Sequence, residues 1–190
     1  ILGSFLYVDI LFAFNVKSAE LALKISRIDH FFIIYLFPIY IHFFHSYLNI
    51  SGKIWLIRLA YLFAFILMWF IPTPLYIESM QKHTFGFFAK GGPLYPLFGI
   101  GSLCMTIIIF TLIFQAIRKE KSSIQKNRLK YVFAGFGAMG VMNGLNVLPI
   151  MGYPIYPPGS FSFIPLVVFA VGLFKHALLD LGLLINKNLV

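Results

Sequence analysis

Between Lys130 and Lys175 the chain carries no Asp, Glu, Lys or Arg. Inside that interval lie a glycine-spaced apolar run, YVFAGFGAMGVMNGLNVLPIMG, a breaker, YPIYPPGS, and a second apolar run, FSFIPLVVFAVGLF. Two uncharged runs of about 18 to 20 residues joined by a helix-breaking turn predict a transmembrane hairpin. A soluble core would have to accept nearly the whole of both runs. Composition extends the argument to the rest of the chain, because residues are 60% apolar and only 11% charged, with a mean hydropathy of +0.89. A soluble domain carries about 25% charged residues, so a membrane-embedded fold is expected throughout.

The expected fold class is all-α, a polytopic membrane bundle of about six transmembrane helices forming one unit over residues 1–190. Upstream spans are read at ILGSFLYVDILFAFNV, FFIIYLFPIYIHFFHSYL (kinked near Pro38), IWLIRLAYLFAFILMWFIP, and Leu97 to Ile117. Lys17 to Arg27 reads as a polar, helix-prone connection and NISGK as a tight turn. TPLYIESMQKHTFGFFAKGGPLYP reads as a longer loop whose aromatics, Tyr76, Phe85, Phe87, Phe88 and Tyr95, suit a membrane–water interface. The start at Ile1 and the end at Val190, both within hydrophobic segments, suggest a piece of a longer protein. Residues 175–190, KHALLDLGLLINKNLV, form an amphipathic pattern suited to a juxtamembrane linker helix.

The net charge of +9 is not a nucleic-acid footprint, since basic residues gather at the ends of runs. Counted by side, Lys53, Arg58, Arg118, Lys119, Lys121, Lys126, Arg128, Lys130, Lys175 and Lys187 fall together. Lys17, Lys24, Arg27, Lys82 and Lys90 fall opposite. The ten-to-five split predicts a cytoplasmic C-terminus and a multi-pass protein of the cell inner membrane.

Gly135, Gly137, Gly140 and Gly144 read as a helix-packing seam, with Gly140 and Gly144 in a GxxxG step. Gly140→Leu is expected to uncouple or misfold the unit by blocking close approach. Asn143 and Asn146 share a helical face and seek interhelical hydrogen bonds, or else a ligand near the outer half of the bundle. Asp29 and His30, with Lys24, Arg27, Glu78, Lys82 and His83, sit on the same outer side and are the other candidates for ligand contact.

No catalytic constellation is complete. His42 and His45, three apart, supply half a metal site, but no acid joins them at helical spacing, so no metal is expected. Asp9 lies mid-run, where function or a polar contact to another helix are both open. Lys175 is read as snorkelling rather than as a retinal-linking lysine, for which no counter-ion is evident. HALLD, His176 to Asp180, is one residue short of an acyltransferase His/Asp pair. The single cysteine, Cys104, excludes a disulfide framework, and neither GxSxG nor GxxxxGK[ST] is present. No cofactor is expected.

The basic entry RLKY (Arg128 to Tyr131), the Gly-rich span, the exit NVLPIMGYPIYPPGS and the following FIPLVVFAVGLFKHALLD resemble the seven-transmembrane-helix N-terminal sensor region of bacterial histidine kinases. GGPLYPLFG (Gly91 to Gly99) is similar to the equivalent loop. The resemblance implies that the first helix of seven is missing. It also implies a modular input domain attached to a histidine kinase, cyclase or phosphatase, with no catalytic residues in this part. The expected partners are the lipid bilayer, a cytoplasmic output module in the same chain, a small-molecule ligand and a second copy in a homodimer, with no nucleic acid. Part of a secondary transporter is the alternative reading, disfavoured by the lack of a convincing internal repeat; an intramembrane enzyme ranks third.

Overall fold

The computed structural model describes residues 12, 14–168, 170 and 171. Asp9, Lys175, His176, Asp180 and the amphipathic tail 175–190 lie outside the described residues.

Helix α1 runs Ala19–Tyr47. Ser18 caps it, its hydroxyl accepting from the Leu21 N–H at 3.4 Å. The polar segment expected to be a connection thus forms the first turns of a single long helix, with Pro38 inside it. Asn49 (φ 48°), Gly52 (φ +96°) and Lys53 (φ 58°) take left-handed backbone and reverse the chain, and the His45 ring bonds the Gly52 carbonyl. Helix α2, Ile54–Met68, then returns alongside α1.

The segment expected to be a loop instead forms a two-stranded hairpin within the mostly helical chain. Strands β1, Ile77–His83, and β2, Gly86–Gly91, pair antiparallel with Met80 opposite Ala89 and His83 opposite Gly86. Thr84 and Phe85 connect them, and Gly86, the first residue of β2, takes φ +130°, a backbone that favours glycine. Helix α3, Tyr95–Lys119, descends from the hairpin, and α4, Ser123–Gly144, climbs back under a Ser122 cap. A short helix α5, Val147–Ile150, and a 3-10 turn, Pro158–Phe161, complete the described elements with a final apolar segment to Val168.

Among the described residues three helical stretches are long and apolar enough to cross a membrane: Ala19–Tyr47, Tyr95–Lys119 and Ser123–Ile150. The expected bundle of about six spans is therefore seen only in this coarser form, a mostly helical unit compatible with membrane insertion. Helix α2 has 15 residues, about 22 Å at 1.5 Å per residue, because Pro72 and Pro74 follow its apolar stretch and the chain leaves the helix at Trp69.

Two buried clusters are threaded by α1. The first joins Ile34, Ala64, Leu67, Ile71, Tyr76, Ile77, Ala89 and Phe98 beneath the hairpin. The second joins Ile41, Phe44, Ala60, Met105, Ile109, Ile113, Val132 and Phe136 at the opposite end. Edge-on ring pairs lock the second, Phe44 with Phe136 at 4.9 Å and Phe110 with Phe133 at 4.9 Å. Outward faces remain apolar: Leu59, Leu62, Phe65 and Ile66 on α2, and Leu103 and Ile107 on α3, are exposed. An apolar surface that continuous suits lipid rather than water.

Candidate functional site

The hairpin caps one end of the helices, and the polar residues singled out in the sequence gather beneath it or beside it. Asp29 and His30 are 5% and 6% exposed, and Ser26, one turn earlier on α1, is 2% exposed. His30 Nδ1–H donates to the Ser26 carbonyl at 2.7 Å, which orients the ring. Tyr76 and Tyr95 pack edge-on against that ring, with centroids 5.8 and 6.1 Å away, and stand 5.4 Å from each other. These tyrosines were expected in an interfacial belt, yet Tyr76 is fully buried.

Arg27 closes the cap from α1, donating from Nη2 to the Ile77 carbonyl at 3.0 Å. Glu78 and Lys90 face each other across the two strands at 3.0 Å, but both side chains are about half exposed, so the pair contributes at most about 1 kcal/mol. Lys82 and His83 lie towards the hairpin tip, where His83 stacks on Phe85 at 4.9 Å.

Burial pushes the Tyr76 hydroxyl well above its ordinary pKa, with Tyr95 adding to the rise. That hydroxyl has no hydrogen-bond partner among the described residues. A buried, unbonded hydroxyl costs about 1–3 kcal/mol. Tyr76→Phe is therefore expected to stabilise the chain by about 1 kcal/mol, read as a higher unfolding midpoint in detergent.

The second group ties α4 to the chain that follows it. Asn143 Nδ2 donates to the Met139 carbonyl and to Ser162 Oγ, both at 2.9 Å. Asn146 Oδ1 accepts from the Gly159 N–H at 2.8 Å. The shared face expected of the two asparagines thus clasps the 3-10 turn and its cap. Gly159 and Ser162 carry no sequence signal that would pair them with α4. The hairpin stands between the two groups: a Cβ on Gly91 of β2 would lie 3.0 Å from Tyr95 and 3.2 Å from Ile150, and Gln81 of β1 donates to the Ile150 carbonyl at 3.4 Å.

The glycines divide. Gly135 is buried, and a Cβ on Gly137 would meet the Phe110 ring at 3.2 Å. At Gly140 and Gly144 it would meet nothing within 4 Å among the described residues. The close approach sits at Gly137, one turn before the GxxxG step. Gly137→Leu is expected to lose about 2 kcal/mol by overpacking, whereas Gly140→Leu should keep the fold; unfolding midpoints of the two variants decide between the positions.

His42 and His45 take separate partners, His42 Nδ1 lying 3.5 Å from the Tyr61 hydroxyl and His45 on the Gly52 carbonyl. Among the described residues no three His, Cys, Asp or Glu side chains gather as metal ligands. Neither a family model, nor a curated protein, nor a solved structure matches the chain.

Proposed function

We propose that this chain is the membrane-embedded signal-input region of a bacterial signal-transduction protein, multi-pass in the inner membrane with its C-terminus cytoplasmic. It couples a ligand or a membrane stimulus to an output module such as a histidine kinase, cyclase or phosphatase. The observation that carries this reading is the asparagine clasp. Asn143 and Asn146 hold the turn from which the last apolar segment departs. A displacement of the hairpin, gripped by α1 through Arg27 and touching α5 through Gln81, has a bonded route to that segment. Polar groups within an apolar helical unit are costly and are kept where they do work. The orientation is supported by the basic residues of the described chain, eight at the end opposite the hairpin (Lys53, Arg58, Arg118, Lys119, Lys121, Lys126, Arg128, Lys130) against five at or near the hairpin end.

The full-length chain tests the proposal. It requires a cytoplasmic kinase, cyclase or phosphatase module beyond Val190 whose activity in membranes changes in Asn146→Ala. A chain that continues into further spans without a soluble module would move the assignment to a transporter.

A further inference from the structure

At the end of the helices away from the hairpin, a cleft of about 340 Å³ opens where α1, α3 and α4 meet. Tyr47 and Asn49 wall it from the end of α1, Glu120 from the end of α3, and Gln125, Arg128 and Leu129 from the first turns of α4. The Arg128 guanidinium lies 5.5 Å from the centroid of the Tyr47 ring and hydrogen-bonds the Tyr47 hydroxyl, so Tyr47 sets its position. Its Nε–H is buried and has no acceptor among the described residues. That atom is closed to solvent, so what a ligand oxygen in the cleft can reach is the accessible part of the guanidinium, Arg128 being half-buried and lining the cleft.

The charge around the cleft selects the ligand. Arg118, Lys119, Lys121, Lys126 and Lys130 flank Arg128 in the chain, with Glu120 the only acid among these neighbours. Glu120 Oε1 accepts from the Ser122 N–H at 2.8 Å, which holds its carboxylate at the turn. A fixed negative charge in the wall opposes a dianion more than a monoanion. The preferred occupant carries one negative charge, presents oxygens in a plane that a guanidinium fork can match, and reaches the cleft at the level where apolar helices end.

We infer that this cleft binds the phosphodiester of an anionic phospholipid headgroup, with Arg128 as the residue that grips it. The inference rests on the reading of these helices as membrane spans and goes beyond the sensor assignment. It gives the basic end a specific lipid contact in place of diffuse attraction. Arg128 lies near the start of α4, whose far end leads into the asparagine clasp, so occupancy of the cleft bears on the position of α4.

The test places the full-length chain in phosphatidylcholine vesicles containing spin-labelled phosphatidylglycerol or spin-labelled phosphatidylcholine. Motionally restricted label is compared at about 0.5 M salt, where surface attraction is largely screened. Wild-type protein should restrict phosphatidylglycerol in preference to phosphatidylcholine, and Arg128→Gln should lower that preference roughly tenfold. Arg128→Lys keeps the charge without the fork and should lose at least about threefold. Lys130→Gln, on an exposed position outside the cleft, should stay within about twofold. Equal losses in Arg128→Gln and Lys130→Gln would assign the preference to diffuse charge and overturn the site. Loss of the wild-type preference on adding millimolar inorganic phosphate would give the cleft to free phosphate and overturn the lipid assignment. Carbonate extraction, read separately, fails only if the helices do not span.

Discussion

Gly92→Ala is expected to destabilise the chain by about 3 kcal/mol, more than any single truncation of an exposed side chain. Gly92 is buried where β2 leaves the sheet, and a Cβ there would press into the backbone of the Pro74–Leu75 turn, lying 2.6 Å from the Leu75 carbonyl carbon. Backbone cannot swing aside as a side-chain tip can. Two hydrogen bonds also depend on the approach, Gly92 N–H to the Tyr76 carbonyl and Leu94 N–H to the Leu75 carbonyl, both 2.8 Å. Separating the turn would draw Tyr76 away from His30 and Tyr95 and open the first buried cluster. The measurement is an unfolding midpoint in detergent together with proteolysis at Lys82 and Lys90 on the hairpin. Gly99→Ala is the control: a Cβ there meets nothing within 4 Å among the described residues, and alanine favours a helix over glycine by about 0.8–1 kcal/mol. Equal stability of Gly92→Ala and Gly99→Ala would mean that the hairpin does not sit against the Pro74–Leu75 turn.

The reach of sequence reasoning follows the strength of the local signal. The caps at Ser18 and Ser122, and the helical start of α1 within the expected connection, emerge only in the structure, whereas the apolar parts of α1, α3 and α4 were legible because long apolar runs are bounded by polar breaks. The hairpin was not. Ile77 to Gly91 mixes Glu, Ser, Gln, Lys, His and three phenylalanines without strict alternation, and its pairing is a non-local event that no single strand announces. Tyr76 and Tyr95 illustrate the same limit, because an aromatic at a membrane interface and one in a core look alike in sequence. The asparagines were legible from their three-residue spacing in an apolar run, but the spacing says nothing of which distant turn will receive them. Small-residue spacing had the converse weakness: it marked four glycines on α4 without distinguishing Gly137, beside Phe110, from Gly140 and Gly144, where a Cβ would meet nothing within 4 Å among the described residues. Charge placement needed no pairing, so the basic end and Arg128 were visible from the outset.

The second large effect is expected at Gly159. A Cβ on this buried residue would enter the clasp, colliding with Asn146 Nδ2 and lying 2.8 Å from both Asn143 Oδ1 and Asn146 Cγ. The asparagine side chains can rotate away, but only by giving up the bonds to Ser162 Oγ and the Gly159 N–H. Interhelical hydrogen bonds of this kind in membrane helices average about 0.6 kcal/mol and reach about 1.7. Two lost bonds plus overpacking bring the expected cost of Gly159→Ala to about 2–3 kcal/mol. Asn143→Ala and Asn146→Ala should each lose about 1 kcal/mol. Because all three positions share one clasp, the penalty of Gly159→Ala should shrink in the Asn146→Ala background. A double-mutant cycle on unfolding free energy measures this directly. Additivity within about 0.5 kcal/mol would show that Gly159 and Asn146 act independently, and the bonded route from α4 to the last apolar segment would then be lost. Strong coupling would leave Asn146 as the position where the helices are held to that segment, as the proposed sensor reading requires.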